Sequence, residues 1–513
     1  MRTTTAIVIL ASLLASSGSA DPRAPVTIVP AADAKGELFD PATVSLDRLP
    51  VEYVQEEYLV SGTVDVYRYG DPPVLGEKFV RDDVETSYTT RFVIKRPADP
   101  AHFRGTVVVE WWNSTATFDT APVFDPSAEF FARSGWIYIG VTNSPDAINY
   151  LVGSCSLFGL VPPTCGTRYE DLFMPERGQA YEAVSQIVTL LRSASPDNPL
   201  YPAFHPVERL YHAGQSQQGG SIVTYANEFH FEHNDGYFIQ ASGSRARNLS
   251  TDSPIPEPGQ PGRMVRTDLA VPIIRAQTET DVSGVLAAGS RQQDAGAFRY
   301  YEMPGTAHVT VHKDICPIPA GIVGPEICLE DLCLEELNTL ADGPVFGKYL
   351  YNAMWRNLDL YSRLDVPMPH GDLITSQGDQ MVRDVFGNAL GGIRLPDVSV
   401  PTATYTGRAT SKLTCGEEGA LPEPDCLPPT SPLALTVANL FCGLSGTTTT
   451  FDKSLIDTLY PSHRDYVRQV VRRTRHLRRA RFLTGHDAQE IIRRAAASDI
   501  GEVIHPPKRN RRR

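Results

Sequence analysis

No run in this 513-residue sequence reaches the ~18 consecutive apolar residues that a membrane-spanning helix requires. The longest leader-like stretch, Ala6 to Leu14, follows Arg2 and precedes the small residues Gly18 and Ala20. That layout predicts a secretory signal over residues 1–20, cleaved after Ala20, and hence a secreted or periplasmic protein with no transmembrane segment. No cysteine follows Ala20 to take a lipid anchor. None of the eight cysteines forms a CxxC pair, which removes zinc-ribbon and thioredoxin-like readings. An even number in an exported chain favours disulfides. Proximity in sequence pairs Cys155 with Cys165 and Cys415 with Cys426, each bridge contributing roughly 2–3 kcal/mol. Basic charge is scarce in the main body. The net charge is −13, yet the stretch from Phe451 onward holds sixteen Lys/Arg against seven Asp/Glu. An acidic body argues against a nucleic-acid function, and the basic end reads as a solvated helix face with a frayed tail, the alternative being contact with a polyanion or an acidic surface. There is no internal repeat.

What is present is an alternation. EYLVSGTVDVYRYG (57–70) and TSYTTRFVIKR (86–96) alternate apolar and polar residues, as in a half-exposed antiparallel hairpin at a sheet edge. FRGTVVVEWWN (103–113) and GWIYIGVTN (135–143) have the continuous apolar runs of strands covered on both faces, and SAEFFARSG (127–135) between them is helical. The grammar then repeats. Helix 178–194, strand 207–214 and helix 221–229 are followed by strands at 236–243, 269–277 and 297–305. Strands alternating with helices predict an α/β fold, a mostly parallel sheet with helices on both faces. The expected division is a signal (1–20), an N-terminal extension (21–55), a core (56–313), a cap or irregular extension (314–460) and a basic helical segment (461–513). Within the last segment, Asp487 followed by Glu490 reads as a capping box opening a final helix.

The most informative stretch is YHAGQSQQGG (211–220), where a buried strand turns abruptly into a helix at Ser216. Close glycines permit such a turn, which lifts the hydroxyl clear of the sheet edge and aims the amide of Gln217 at a developing oxyanion. The usual G-x-S-x-G pattern is incomplete, because Gln218 stands where the second glycine belongs. A neutral serine needs an imidazole to take its proton and a carboxylate to orient that imidazole. Downstream, VPIIRAQ runs into TETDV, offering Glu279 and Asp281, and FRYYEMPG runs into TAHV, offering His308. Serine, acid and histidine thus come in hydrolase order at successive strand ends. Glu279, nearer its strand end, is the preferred acid, with Asp281 the alternative; His312 rivals His308. The loop after VVVEWW supplies the second oxyanion donor, the amide of Trp112 or Asn113, and Trp111 and Trp112 either wall a pocket or belong to the core. Asn113 and Asn248 head glycosylation sequons, the first of which would obstruct the site if used. His370 and Asp372 are the only other suggestive metal pair, and they lack partners at ligand spacing. No metal or cofactor is expected.

GTVVVEWWN, GQSQQGG, VPIIRAQTETDV, EMPGTAHV and the distal VFGNALGGIRLPDVSVPTATYTG together resemble the α/β-hydrolase superfamily, within it the "alpha/beta hydrolase domain" proteins of bacteria and fungi. The resemblance spans most of residues 55–410 and implies a serine-hydrolase triad on Ser216, Glu279 (or Asp281) and His308. Gln218 departs from the small residue expected there. The reading that follows is an exported serine hydrolase acting on a small-molecule or lipid-like ester through an acyl-enzyme. The alternative is a non-catalytic binding or envelope protein that retains the fold.

Overall fold

The computed structural model describes residues 26–31, 36–153, 155, 165–243, 246–260, 262–282, 291–309, 333–337, 346–378, 380–412 and 439–501. The expected signal segment, Cys415–Cys426, His312 and the end of the basic tail lie outside the described residues. Eleven strands come first: β1 (Thr27–Pro30), β2 (Tyr53–Thr63), β3 (Tyr67–Val74), β4 (Glu77–Val80), β5 (Ser87–Pro97), β6 (Thr106–Trp111), β7 (Ile137–Val141), β8 (Arg209–Gln215), β9 (Gly236–Gln240), β10 (Ile273–Thr278) and β11 (Phe298–Met303). Nine of them form one sheet in the order β1-β2-β5-β7-β6-β8-β9-β10-β11, while β3 and β4 pair separately. From β7 to β11 every pairing is parallel. Burial runs almost unbroken along these strands, because both faces are covered. The antiparallel end differs from the expected edge hairpin. β2 and β5 do pair along their length, but β5 lies inside the sheet between β2 and β7, and β1 takes the edge.

Helices cover both faces. α1 (Phe124–Ser134), α2 (Pro145–Val152), α3 (Gln179–Arg192) and α4 (Gln217–Glu228) follow the strands as crossovers. Leu191, Ile187 and Val184 of α3 and Ile222, Val223 and Ala226 of α4 fill the core on one face. On the other face α1 packs beside the long helix Phe346–Leu364, whose buried Trp355 meets Phe238 of β9 edge-on at 4.6 Å. A buried aromatic of this size contributes roughly 2–3 kcal/mol through area alone. β1 lies before the expected boundary at 55 and this covering helix after the one at 313, and both pack with the sheet. The helices His463–Arg479 and Gly485–Ala497, with Leu483 between them, close that face through Val470, Leu477, Leu483 and Ile491. The last helix is capped by Thr484, whose side chain accepts from the amide of Asp487. Asp487 is thus the third helical residue rather than the cap. Among the described residues no helix is long and apolar enough to cross a membrane.

Among the described residues two disulfides are present. Cys155–Cys165 is the expected local clip, and Cys333–Cys442 joins segments 109 residues apart. The second pairing was invisible in the sequence because nothing local brings its halves together.

One core residue predicts a pH effect. His212 on β8 is fully buried, accepts from the Trp111 indole at 3.3 Å and bonds Asn234 Oδ1 at 2.8 Å. Burial drives its pKa down to about 3 from an ordinary 6.5. The unfolded chain takes up a proton that the folded one refuses, so stability is full above that ordinary value and falls as pH drops towards about 3. The loss reaches roughly 4–5 kcal/mol at the bottom of that window. His212→Gln is expected to make this acid limb shallower, as read by denaturant unfolding at a series of pH values. An unchanged slope would assign the acid sensitivity to other groups.

Candidate active site

Parallel strands put their C-terminal ends on one rim, and the rim gathers the chemistry. In register, Trp111 faces Gly214, Gln215 faces Gln240, and Thr278 faces Met303. The residues just past these ends are therefore neighbours across the sheet, although as many as 195 positions separate Asn113 from His308 in the chain.

Between β8 and α4, Ser216 sits at φ 56° and ψ −115°, a region that costs a non-glycine residue roughly 1–3 kcal/mol. The strain is held by bonds on both sides. The Ser216 amide donates to the Gln240 carbonyl at 2.9 Å, and the Gly220 amide donates to the Ser216 carbonyl at 3.1 Å. The missing glycine at 218 is answered one position later. A Cβ on Gly219 would stand 2.8 Å from Ser242 Cβ and 3.0 Å from the Gln240 carbonyl, so close helix-to-strand packing rests there. Gly214 is needed for the same reason, with the Gln218 carbonyl 2.6 Å from where its Cβ would be.

His308 follows β11. Its Nε2 lies 2.8 Å from Ser216 Oγ, and its Nδ1 lies 2.6 Å from Asp281 Oδ1. The loop is fixed at the backbone as well, because the His308 amide donates to Thr280 Oγ1 and Gln215 Nε2 donates to the His308 carbonyl. Asp281 is fully buried, and its second oxygen accepts from the amide and hydroxyl of Thr278 at 3.0 and 2.6 Å. Burial raises its carboxyl pKa. The positive charge and hydrogen bond of His308, with the two Thr278 bonds, outweigh burial and leave it below the ordinary 3.8. An ionised Asp281 only accepts, so the proton sits on His308 Nδ1 and Nε2 is left to accept from Ser216.

The preference for Glu279 is corrected. β10 runs directly into a helical turn, α5 (Glu279–Val282), in which each residue rotates by about 100°. Residues two apart therefore point to opposite sides, and proximity to the strand end decides nothing. Glu279 faces away from His308. It pairs with Arg383 at 2.7 Å and accepts from the Gly305 amide at 2.7 Å.

The two amides proposed for the second oxyanion donor are also corrected. The Trp112 amide donates to the Val141 carbonyl at 3.2 Å and the Asn113 amide to the Thr120 carbonyl at 3.1 Å, so both are already used. The amides of Gln217 and of Ser114, one residue further on, have no acceptor among the described residues. The Ser114 hydroxyl donates to Gln217 Oε1 at 3.2 Å, which places the two residues side by side. Sequence reasoning missed Ser114 because neither the bond from Trp112 to β7 nor the Asn113–Thr120 bridge has a local signature.

Neither tryptophan walls a pocket. Both are fully buried, Trp111 against Tyr225 and Trp112 beneath the Arg91 guanidinium. Gly140 has no side chain because Trp112 fills the space, with its ring 2.1 Å from a hypothetical Cβ. Asn113 is buried and its amide nitrogen donates to Gln215, so the first sequon offers no free nitrogen for a glycan. His370 bonds Asp294 at 2.6 Å rather than Asp372.

A strained serine, a histidine and a buried carboxylate in line can deprotonate a hydroxyl as it attacks a carbonyl. The family described as "Alpha/beta hydrolase domain" matches residues 23–493, and the chain belongs to it. Solved structures with low similarity include an α/β serine hydrolase from Xanthomonas campestris described as lacking a lid. It is 11% identical, covers 48% of this chain and 85% of its own, and has a TM-score of 0.27. An α/β serine hydrolase homologue from Coxiella burnetii is 12% identical over 48% of this chain and 88% of its own, with a TM-score of 0.26. A poly(3-hydroxybutyrate) depolymerase from Bordetella parapertussis is 15% identical over 45% and 70%, with a TM-score of 0.26. At these scores they bear on neither substrate nor residue roles. No curated protein matches the chain significantly.

Proposed function

We propose that this protein is an exported serine hydrolase that cleaves small-molecule or lipid-like carboxylic esters. The observation that carries the reading is the unbroken relay from Ser216 Oγ through His308 to Asp281, at 2.8 and 2.6 Å. Ser216 Oγ attacks the ester carbonyl while His308 Nε2 takes its proton. Asp281 holds the imidazole in the required tautomer and offsets the imidazolium charge. The negative charge on the carbonyl oxygen is met by the amide of Ser114 after β6 and that of Gln217 at the N-terminus of α4, where the helix dipole adds positive potential. Collapse expels the alcohol, protonated by His308, and leaves an acyl group on Ser216. Water activated by the same histidine then releases the acid.

The test combines a panel of p-nitrophenyl esters of increasing acyl length with a fluorophosphonate label. Turnover of at least one ester and stoichiometric modification mapped to Ser216 are expected. Folded protein that neither hydrolyses the panel nor takes the label would favour the binding-protein alternative.

A further inference from the structure

The distal segment VFGNALGGIRLPDVSVPTATYTG (385–407) has no part in the relay, yet its two ends converge on it. At one end stands Arg383, two residues before the segment. Its Nη2 donates to Glu279 Oε1 at 2.7 Å, with the carboxylate fully buried and the guanidinium about one-third exposed. At the other end stands Gly407. Its amide donates to the same Glu279 oxygen at 3.4 Å, and its carbonyl accepts from the Thr280 hydroxyl. A Cβ on Gly407 would lie 2.6 Å from the Thr280 nitrogen, so the approach is backbone to backbone.

Glu279 and Thr280 in turn hold the histidine loop. Glu279 Oε2 accepts from the Gly305 amide, the Glu279 amide donates to the Thr306 carbonyl at 3.1 Å, and Thr280 Oγ1 accepts from the His308 amide at 3.1 Å. The Thr280 hydroxyl has one proton, and Gly407 takes it, which leaves its lone pairs for His308. The far side of the loop is held by another part of the C-terminal third, because the Val309 amide donates to the Leu444 carbonyl at 2.9 Å. Cys442, two residues earlier, is bonded to Cys333.

We propose that Arg383 is a positioning residue. Through Glu279 and Thr280 it fixes where His308 stands between Ser216 and Asp281, so the C-terminal third is part of the catalytic apparatus rather than a removable lid. This rests on the triad reading above. Losing Arg383 leaves a buried carboxylate unpaired, and the strain is relieved by moving Gly305–His308. A shift of about 1 Å in such a loop costs on the order of a hundredfold in rate.

The experiment compares wild type, Arg383→Ala, Arg383→Gln and Arg383→Lys on p-nitrophenyl acetate. It also records the downfield NMR resonance of the His308 Nδ1 proton, assigned by its loss in Asp281→Asn. Arg383→Ala and Arg383→Gln are expected to lower kcat by 10- to 100-fold with KM changed less than threefold, and to shift or broaden that resonance. Arg383→Lys is expected to recover part of both. A folded Arg383→Gln protein with wild-type kcat and an unmoved resonance overturns the proposal. Should Arg383→Ala fail to fold, the Gln and Lys variants carry the test. Wild type that takes no fluorophosphonate at Ser216 overturns the triad reading, and this inference with it. Labelling of wild type at Ser216 with no effect of Arg383 overturns the inference alone.

Discussion

Ser216→Ala is expected to lower kcat by roughly 10⁶-fold on any ester the wild type turns over, with substrate binding little changed. The reason is chemical rather than structural. Without Oγ no acyl-enzyme forms, and His308 and Asp281 have nothing to activate except bulk water. Alanine also relieves nothing essential to folding, because the positive-φ turn is held by the backbone bonds at Gln240 and Gly220. The variant should therefore melt within a few degrees of wild type while losing fluorophosphonate labelling. Ester turnover that survives the substitution would place the nucleophile elsewhere.

Asp281→Asn is expected to cost about 10³–10⁴-fold in kcat, far more than any substitution at Glu279. An asparagine amide can donate to Nδ1, which moves the imidazole proton to Nε2 and blocks acceptance from Ser216. It also removes the buried negative charge that offsets the imidazolium. Because His308 and Thr278 hold the Asp281 carboxyl below its ordinary pKa, the group is ionised throughout the neutral range. The deficit is accordingly expected at neutral and alkaline pH. Glu279→Gln acts only through the loop that it holds, and about a tenfold loss is expected. Rate measurements on the two variants side by side check the assignment. A larger loss at Glu279 than at Asp281 would reverse it.

The placement of Ser216 and His308 was legible because it depends on order. Apolar runs mark the buried parallel strands, and a parallel sheet delivers the residue after each strand to one rim. Side-chain direction was not legible. Glu279 and Asp281 differ by two positions on one turn of helix, and only the three-dimensional path of that turn decides which carboxylate meets the imidazole. The same holds for the backbone amides after β6. Trp112 and Asn113 lie where a donor was sought, but β7 takes the first amide and the loop residue Thr120 takes the second. Gln218 misled in a smaller way. Packing of α4 on the end of β9 requires glycine at 219, and a motif written for 218 does not reveal that.

By itself, the sequence determined the α/β class, the strand that ends in Ser216 and the histidine that follows the last strand. Each of these follows from local hydrophobic patterning plus chain order. Only the tertiary structure decided that Asp281 faces the relay, that Cys333 meets Cys442, and that Arg383 and Gly407 return to grip Glu279 and Thr280. Those choices depend on long-range closure. They are set by which loops the packed sheet brings within hydrogen-bond range, and a one-dimensional pattern carries no record of that distance.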